Sequence, residues 1–329
     1  MVSKNVYLNP ALFSLKSLDQ KPTRDGYGQG LIIAGERDER VIVLCADLTE
    51  STRSLGFKQK FPKRFIQLGV AEQSMAAIAA GLAMTDKVPF ISSYAAFSPG
   101  RNWEQIRTQL ALNWTNVKVA GAHAGVSVGP DGATHQAIED MAIMRVIPRM
   151  VVLSPCDMIE ARKATLAAAA YDGPVYIRFA REKSPVFTTE KTPFKIGRAE
   201  VFKPGKDVAI IACGPLLHEA LMAAYELEKK KISVRVINNH TIKPLDEKTI
   251  IAAAKDCGAI VTVEEHQVLG GLGGAVAELL AKHCPVPMEF IGVQDHFGES
   301  GEPQELLEAF HMTAPWIAKA VQRVLKRKF

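Results

Sequence analysis

The sequence has no long hydrophobic run, no apolar leader and no strong excess of charge of one sign. No stretch reaches the about 18 uninterrupted apolar residues that a membrane-spanning helix needs. The first residues contain no apolar run followed by a cleavage site, so the sequence predicts no signal peptide. The net charge is only +5, and the basic cluster at residues 323–328 is typical of a solvated helix end. We therefore expect no contact with a membrane and no binding to nucleic acid, whereas small anions remain candidate ligands.

The cysteines are few, odd in number and widely scattered, and no two of them form a CxxC pair. This distribution argues against a disulfide framework and against a zinc site built from closely spaced ligands. It favours reduced thiols, so the sequence predicts a cytoplasmic protein. The five cysteines are Cys45, Cys156, Cys213, Cys257 and Cys284.

What the sequence does contain is a repeated alternation between short β-branched runs and helix-like segments. Runs such as Val41–Ala46 and Val175–Phe179 predict buried strands, and segments such as Asp157–Ala170 and Gln136–Met144 predict helices. The alternation occurs on both sides of a stretch that contains several Pro, Thr and Lys residues. It predicts an α/β protein of two domains, each with a mostly parallel sheet flanked by helices. The expected bounds are an N-terminal extension at 1–20, a first domain at 21–185, a linker at 186–206 and a second domain at 207–329.

The candidate ligand-binding loops are those that follow the strands of the first domain. In open parallel sheets, ligands bind beyond the carboxyl ends of the strands, where loops lead into helices. The four loops at these positions of the first domain are 47–54, 94–100, 121–135 and 180–185.

Glu72 is the most informative residue of the sequence. It begins a helical segment that has no polar side chain between Ser74 and Met84. A helix that is apolar all round is expected to be buried on every side, which would remove this carboxyl group from water. A buried carboxyl group can keep its proton and donate a hydrogen bond that a carboxylate cannot. The alternative is a Glu that complements the helix dipole, and the residue types alone leave both open.

The loop that starts at Gly121 combines glycines with titratable side chains. Four glycines in the twelve residues 121–132 allow the backbone to approach a ligand closely. His123, His135 and Asp131 are residue types that bind hydroxyls or phosphate and transfer protons. Their spacing matches no short metal motif, so we expect no metal ligands here. The alternative is a turn with one capping Asp and incidental histidines.

Other side chains of the first domain suggest a flat ring and an anion as ligands. Tyr94 and Phe97 follow a predicted strand and could stack on a ring, although core packing is the commoner use of such residues. Arg24, Ser51 and Arg181 are candidate anion-binding residues, with surface salt bridges as the alternative for the arginines. In the second domain, the glycine-rich segment 269–274 lacks the spacing and lysine of a phosphate loop, which favours close packing at a helix start.

Several motifs, taken in order, resemble the transketolase family of thiamine-diphosphate enzymes. The two most specific are Gly-Val-Ala-Glu-Gln at 69–73 and Gly-Pro-Asp-Gly-Ala-Thr-His-Gln at 129–136. The segments 45–51, 144–148 and 172–178 also fit the family's pyrimidine-binding domain, and the second half resembles its C-terminal domain. The resemblance implies transfer of a two-carbon ketol unit from a ketose phosphate to an aldose phosphate.

The family's diphosphate-binding domain, with its Gly-Asp-Gly motif, has no counterpart in this sequence. The chain therefore resembles the C-terminal subunit of a split transketolase. The resemblance implies a separate N-terminal subunit that holds Mg²⁺ and the diphosphate of thiamine diphosphate. It also implies a heterotetramer with two copies of each chain.

The resemblance assigns a role to each candidate residue. Glu72 would hydrogen-bond to N1′ of the cofactor's aminopyrimidine ring, and His135 would assist proton transfer to and from the sugar. The cofactor site would also include Tyr94, Phe97 and Asp47. The substrate contacts would be Arg24, Ser51, His123, Asp131, His135 and Arg181.

Three other functions remain open at this point. A 1-deoxy-D-xylulose-5-phosphate synthase-like subunit shares similar motifs, although His123 stands where those enzymes usually carry Arg. The β subunits of 2-oxo-acid dehydrogenases have a similar size and domain order but generally lack the loop at 129–136. A non-catalytic scaffold or regulatory partner is a hypothesis of another class, and the presence of Glu72, Asp131 and His135 argues against it.

Overall fold

The computed structural model describes residues 2–328, which form two α/β domains. Each domain has a mostly parallel sheet with helices on both faces, so the predicted fold class is confirmed. The strands are β1 (Gln20–Pro22), β2 (Val41–Cys45), β3 (Phe65–Gln67), β4 (Val88–Tyr94), β5 (Lys118–Ala122), β6 (Val151–Leu153), β7 (Val175–Arg178), β8 (Lys183–Pro185), β9 (Glu200–Lys203), β10 (Val208–Ala212), β11 (Val234–Asn238), β12 (Thr241–Lys243), β13 (Ile260–Gln267) and β14 (Met288–Val293).

The helices alternate with these strands along the chain. They are α1 (Thr23–Arg37), α2 (Leu55–Lys60), α3 (Glu72–Ala83), α4 (Trp103–Gln105), α5 (Asp140–Arg145), α6 (Met158–Ala170), α7 (Leu216–Lys229), α8 (Glu247–Cys257), α9 (Leu272–His283), α10 (Pro303–Ala309) and α11 (Ala314–Leu325). Helix α4 continues directly into a π-helical segment at Ile106–Ala111.

The first sheet has the order β12-β6-β7-β5-β4-β2-β3 within the described residues, and all its strands are parallel except β12. Helices α1 and α6 pack on one face, where Tyr27, Leu31 and Phe57 are buried against the strands. Helix α3 and the π-helical segment pack on the other face with α5. That core continues into the second domain through Ile250 of α8 and Leu272 of α9.

The second sheet has the order β14-β13-β10-β11-β9 among residues 2–328, with β9 as its antiparallel edge. Residues 200–203 therefore form part of the second sheet, although the sequence placed them in the linker. The predicted domain bounds also do not show that one strand crosses between the domains. Strand β12 belongs to the second half of the chain but pairs with β6 of the first sheet. The two domains thus share both an apolar core and a strand.

The segment expected to be an N-terminal extension packs on the second domain. The amide of Ser3 donates to the carbonyl of Phe202 at 2.8 Å. The side chains of Val6, Leu12 and Leu18 are buried in the core of the second domain. These contacts fix both ends of residues 3–18 to the structure.

The helix predicted at Gln136–Met144 is shorter than expected. Helix α5 begins only at Asp140. The side-chain amide of Gln136 instead donates to the carbonyl of Val126 at 2.9 Å, which turns the chain back on itself. The pattern of apolar residues did not show that residues 136–139 form a loop, because a folded-back loop buries apolar side chains without a regular period.

Candidate functional site

The candidate site lies at the carboxyl ends of β2, β4, β5 and β7, as the position of ligand sites in parallel sheets predicts. The chain leaves β5 through His123, whose φ is +57°. Such a value is uncommon outside glycine and turns the side chain away from the path of the strand. His123 is 2 % exposed, and its ring lies 3.9 Å from that of Tyr94 at the end of β4.

The position of the His123 proton follows from its neighbour Arg24 in α1. Nη1 of Arg24 lies 3.2 Å from Nε2 of His123 and also donates to the carbonyl of Ser51 at 2.8 Å. A guanidinium group only donates hydrogen bonds, so Nε2 must accept and the proton of the neutral ring must be on Nδ1. That Nδ1 is buried and has no hydrogen-bond partner in the part of the chain that is described.

Burial and nearby positive charge keep His123 neutral. Burial, and after it the charges of Arg24, Arg181 and Arg53 in that order of effect, together lower its pKa to about 3. Arg24 is itself affected, because burial and then Arg53 lower the pKa of its guanidinium group. Nε of Arg24 is a second buried donor that lacks a partner among residues 2–328. The pocket therefore presents two unused donors and a cluster of cations to a ligand.

Tyr94 and Phe97 form the aromatic wall that the sequence suggested. Their ring centroids are 6.0 Å apart, and the planes differ by 22°. His135 approaches both rings edge-on, at 6.1 Å from Tyr94 and 5.4 Å from Phe97. The two aromatic side chains are half-buried rather than core residues, which leaves part of each ring free.

Arg181 lies against the loop that starts at Gly121, close to Asp131. Nη1 of Arg181 donates to the carbonyl of Val128 at 2.6 Å and lies 3.8 Å from a carboxylate oxygen of Asp131. Both side chains are partly exposed. Arg181 therefore holds the loop while its charge remains available to a ligand.

Glu72 is buried as predicted, at 1 % exposure, at the first residue of α3. Its Oε2 has no hydrogen-bond partner among the described residues, although Nη1 of the half-exposed Arg101 lies 3.5 Å away. Asn102, fully buried, donates through Nδ2 to the carbonyl of Glu72 at 3.0 Å and to Oγ of Ser98 at 3.1 Å. This amide ties the backbone at the first residue of α3 to the turn that follows Phe97.

The expectation that α3 is buried on every side is wrong for the isolated chain. Only one face of the helix packs on the sheet, through residues that include Met75, Ala76 and Ala79. The other face is open, with Ile78 40 % exposed and a Cβ at Gly81 meeting nothing within 4 Å. The sequence shows that this helix is apolar, but it cannot show which molecule covers it.

Asp47 is not brought into contact with the other candidates. It is exposed, has φ of +59° at the end of β2, and its amide donates to the side chain of Gln67 at 3.1 Å. Asp47 lies in the loop after β2 that also carries Ser51, so it is at the same edge of the sheet as the other candidate residues.

The glycine-rich segment at 269–274 packs closely at the start of α9, as the sequence indicated. The buried carboxylate of Glu264 accepts from the amides of Leu272 and Gly273, each at 2.7 Å. A Cβ at Gly271 would stand 2.1 Å from Oε2 of Glu264. The chain's own carboxylate therefore occupies the position at the helix start that an anion would need.

Sequence reasoning missed Asn102, Arg101 and Arg53. Asn102 had no recognisable signal, because its function depends on a carbonyl thirty residues away in α3. Arg53 has φ of +64°. Its Nε lies 2.6 Å from a carboxylate oxygen of Asp25, which is the residue that follows Arg24 in the chain. Only one residue separates Arg53 from Ser51, so the loop sequence offered a weak indication of its position.

Two further observations concern the cysteines and the hydrophobic length of the helices. Each of the five cysteines is a free thiol in the described part of the chain. No helix within residues 2–328 combines the length and the apolar character that crossing a bilayer requires.

Comparison with known proteins agrees with this geometry. Residues 19–186 match the transketolase pyrimidine-binding domain, and residues 197–317 match the transketolase C-terminal domain. A protein of Methanocaldococcus jannaschii named as a transketolase C-terminal section is 43% identical over 94% of this chain and 98% of its own length. The 6-deoxy-6-sulfo-D-fructose transketolase subunit SqwH of Clostridium sp. (strain MSTE9) is 41% identical over 94% and 97%.

Structures and full-length relatives extend the comparison. A solved structure described as a split gene transketolase, inactive beta4 tetramer, has a TM-score of 0.88 and 44% identity over 94% of this chain and 99% of that one. Human transketolase is 39% identical over 97% of this chain but only 51% of its own length, so the chain spans about half of that protein. The chain belongs to the transketolase family, in the group that corresponds to the C-terminal section of a split transketolase.

Proposed function

We propose that this chain is the C-terminal subunit of a thiamine-diphosphate-dependent transketolase. In this function it moves a two-carbon ketol unit from a ketose phosphate to an aldose phosphate. The observation that carries the proposal is the buried carboxyl group of Glu72, whose Oε2 lacks a hydrogen-bond partner within the described residues. Buried polar atoms are nearly always paired, so this oxygen calls for a ligand atom. The nearby turn carries two near-parallel rings, and a flat ring with a hydrogen-bonding nitrogen suits both features.

The side chains of the first domain fit the pyrimidine half of thiamine diphosphate. When bound, this cofactor supplies the chemistry that breaks and makes the carbon–carbon bond. Glu72 would hold the ring nitrogen N1′ through a shared proton, in a site that burial keeps poor in water. Phe97 and Tyr94 would pack on the ring, and Asp47 would lie at the edge of the cofactor site.

The cationic pocket suits the sugar phosphate. The Nδ1 proton of His123 and the Nε proton of Arg24 are buried and unpaired in the described structure, so each would donate to a substrate oxygen. Arg181 and the hydroxyl of Ser51 would complete the contacts to the phosphate. Asp131 would accept from a sugar hydroxyl.

His135 is suited to move a proton between the reacting sugar and solvent. It stands at the edge of both aromatic rings, and its Nδ1 lies 2.9 Å from the hydroxyl of Thr134. Its side chain is only partly buried, so the ring can reach both substrate and water.

A second chain would complete the cofactor site. We assign Mg²⁺ and the diphosphate to a separate N-terminal transketolase subunit, because the cofactor must extend away from Glu72 to a chain that binds its other end. The exposed apolar side chains in α3 and next to the ends of α3, the π-helical segment and α5 would be covered in that assembly. These side chains are Val70, Ile78, Met84, Leu112 and Val146.

The solved relative described as an inactive beta4 tetramer supports two parts of this proposal. Its description says that this relative forms a tetramer and that the tetramer is inactive. We infer the same for this chain, with two copies of each subunit in the active complex.

The identity of the acidic group on the sugar is a separate question, because one similar relative is named for a sulfosugar. Phosphate and sulfonate both bind guanidinium groups and imidazole donors. The same pocket would therefore accept a 6-deoxy-6-sulfo-ketose as an alternative donor. Direct competition between the two donors decides which one the pocket prefers.

The test is a ketol-transfer assay with thiamine diphosphate and Mg²⁺. The purified chain should be inactive alone and should become active when an N-terminal transketolase subunit is added. Xylulose 5-phosphate with ribose 5-phosphate should give product, 6-deoxy-6-sulfofructose should be compared as donor, and pyruvate should give none. Full activity of the chain alone would contradict the split-subunit proposal. Activity with pyruvate would favour the deoxyxylulose-phosphate synthase alternative.

A further inference from the structure

The loop that carries Asp131 and His135 is shaped largely by the second domain. We define this loop as residues 125–136. It contains two short 3₁₀ turns at Val126–Asp131, joined at Gly129, where φ is +83°. Glu265 and residues 298–303 of the second domain pack directly against it.

Glu265, in β13 of the second sheet, makes the most direct contact. Its Oε1 accepts a hydrogen bond from the amide of Ser127 at 2.7 Å, and both residues are buried. Gly125 allows this approach, because a Cβ there would stand 2.2 Å from Oε1 of Glu265 and its φ is +90°. The contact crosses the domain boundary at the first turn of the loop.

A second contact holds the far end of the loop. The side-chain amide of Gln136 donates to the carbonyl of Glu299 at 2.8 Å and to that of Val126 at 2.9 Å. Gly298 permits this, since a Cβ there would overlap Oε1 of Gln136. The loop is therefore fixed at both ends by the second domain, and Asp131 and His135 lie between these points.

A buried ion pair fixes the backbone that Glu265 belongs to. Arg178 at the end of β7 pairs with Asp140 at 2.9 Å and donates through Nη2 to the carbonyl of Glu265 at 2.7 Å. The hydroxyl of Tyr176 donates to the carboxylate of Asp140 at 2.6 Å. All of these groups are buried, so the position of Glu265 is determined by interactions from both domains.

We propose that Glu265 is a positioning residue for the substrate loop, a role that builds on the proposed function. Among residues 2–328, no side chain of the second domain hydrogen-bonds to Arg24, His123 or Arg181 of the cationic pocket. Through Glu265 it sets where Asp131 and His135 meet the sugar. A residue that only orders a substrate-binding loop should affect the KM of the sugar more than the affinity of the cofactor.

The first test measures the loop directly, in the chain as it exists without a partner. Glu265→Ala removes the acceptor for Ser127, and amide hydrogen exchange in residues 125–136 should become about tenfold faster or more. Glu219→Ala is the matched control, because Glu219 is also a second-domain carboxylate that accepts a backbone amide, that of Ala314 at 2.7 Å. Exchange in the loop should not change in that control.

The conservative variant separates this role from general stability. Glu265→Gln keeps an oxygen at the same place, so loop exchange should return close to that of the original chain. If loop exchange became faster by the same factor in the Gln and Ala variants, a role of Glu265 as hydrogen-bond acceptor would be contradicted. Unchanged loop exchange in the Ala variant would overturn the proposal, whatever the activity of the complex.

The second test uses the complex with an N-terminal subunit. Glu265→Ala should raise the KM of the ketose donor by about tenfold or more, with the Kd of thiamine diphosphate unchanged within about twofold. An equal loss of cofactor affinity would show a general defect and would contradict the proposal. If the complex of the original chain shows no ketol transfer, the proposed function fails, while the exchange experiment still decides the role of Glu265.

Discussion

At the scale of single residues, the chemistry of the site depends on which donors remain unused. Nε2 of His123 accepts a hydrogen bond from Arg24, so the proton on Nδ1 is the donor that remains for a ligand. The sequence could identify His123 by its type and by its place after a strand. It could not give the tautomer, because that depends on an arginine 99 residues away in the chain.

Replacing His123 tests whether this donor binds substrate. His123→Phe keeps a flat ring beside Tyr94 but removes the Nδ1 proton, so the KM of the phosphorylated donor should rise about 10- to 100-fold in the complex. The Kd of thiamine diphosphate should stay the same. His218→Phe is a matched control, since His218 is an equally buried histidine of the second domain. Steady-state kinetics at saturating cofactor give both values, and an unchanged KM would remove His123 from the substrate site.

At the scale of elements, the starts of two helices show what sequence patterns can and cannot indicate. The glycine-rich segment before α9 lacks the spacing of a phosphate loop, and the structure shows Glu264 at that helix start instead. The apolar sequence of α3 correctly indicated a buried Glu72 but wrongly indicated burial on every side. The apolar sequence of a helix reflects every surface that covers the helix in the full assembly. The structure of a single chain shows only the surfaces that this chain covers.

Two adjacent glycines of α9 give a matched test of this packing. A Cβ at Gly273 would meet the ring of Phe290 at 2.7 Å and Oγ1 of Thr262 at 2.9 Å, whereas a Cβ at Gly274 would meet its nearest atom at 3.6 Å. Gly273→Ala should therefore lower the free energy of unfolding by about 1–3 kcal/mol. Gly274→Ala should be neutral or stabilising by up to about 1 kcal/mol, because alanine favours helix. Urea unfolding measures both, and equal effects would contradict the packing described.

At the scale of the whole molecule, the two domains behave as one packed unit. The chain crosses from the second sheet to the first between β11 and β12, and His240 stands at this crossing. Its carbonyl accepts from the amide of Ser154 at 2.8 Å, and its ring stacks on Phe194 with centroids 4.1 Å apart. The alternation of strands and helices predicted both domains, but the strand exchange depends on a three-residue strand with no distinctive sequence.

His240 also makes the stability of the molecule sensitive to acid. Burial lowers its pKa to about 3, so it stays neutral in the folded protein. The unfolded chain takes up this proton near the ordinary value of about 6.5. Between these values the unfolded state binds more protons, and stability falls as the pH falls below about 6.5.

A comparison of pH profiles isolates this contribution. Between about pH 7 and pH 5.5, the original chain should lose about 1 kcal/mol more stability than His240→Phe, which cannot take up a proton. Denaturant unfolding at each pH gives the two curves, and the difference between them excludes the effects of other groups. Parallel curves would contradict the lowered pKa, because they would mean that His240 takes up its proton equally in the folded and unfolded states.

The account depends above all on Glu72 holding the pyrimidine ring of the cofactor. The most direct measurement is the rate at which deuterium from solvent replaces the C2 proton of thiamine diphosphate in the two-subunit complex, followed by NMR after rapid quenching. Glu72→Gln should slow this exchange by about 100-fold or more with the cofactor still bound. Glu104→Gln, an exposed carboxylate of α4, should leave it unchanged. Equal exchange rates in the original and Glu72→Gln complexes would contradict the account.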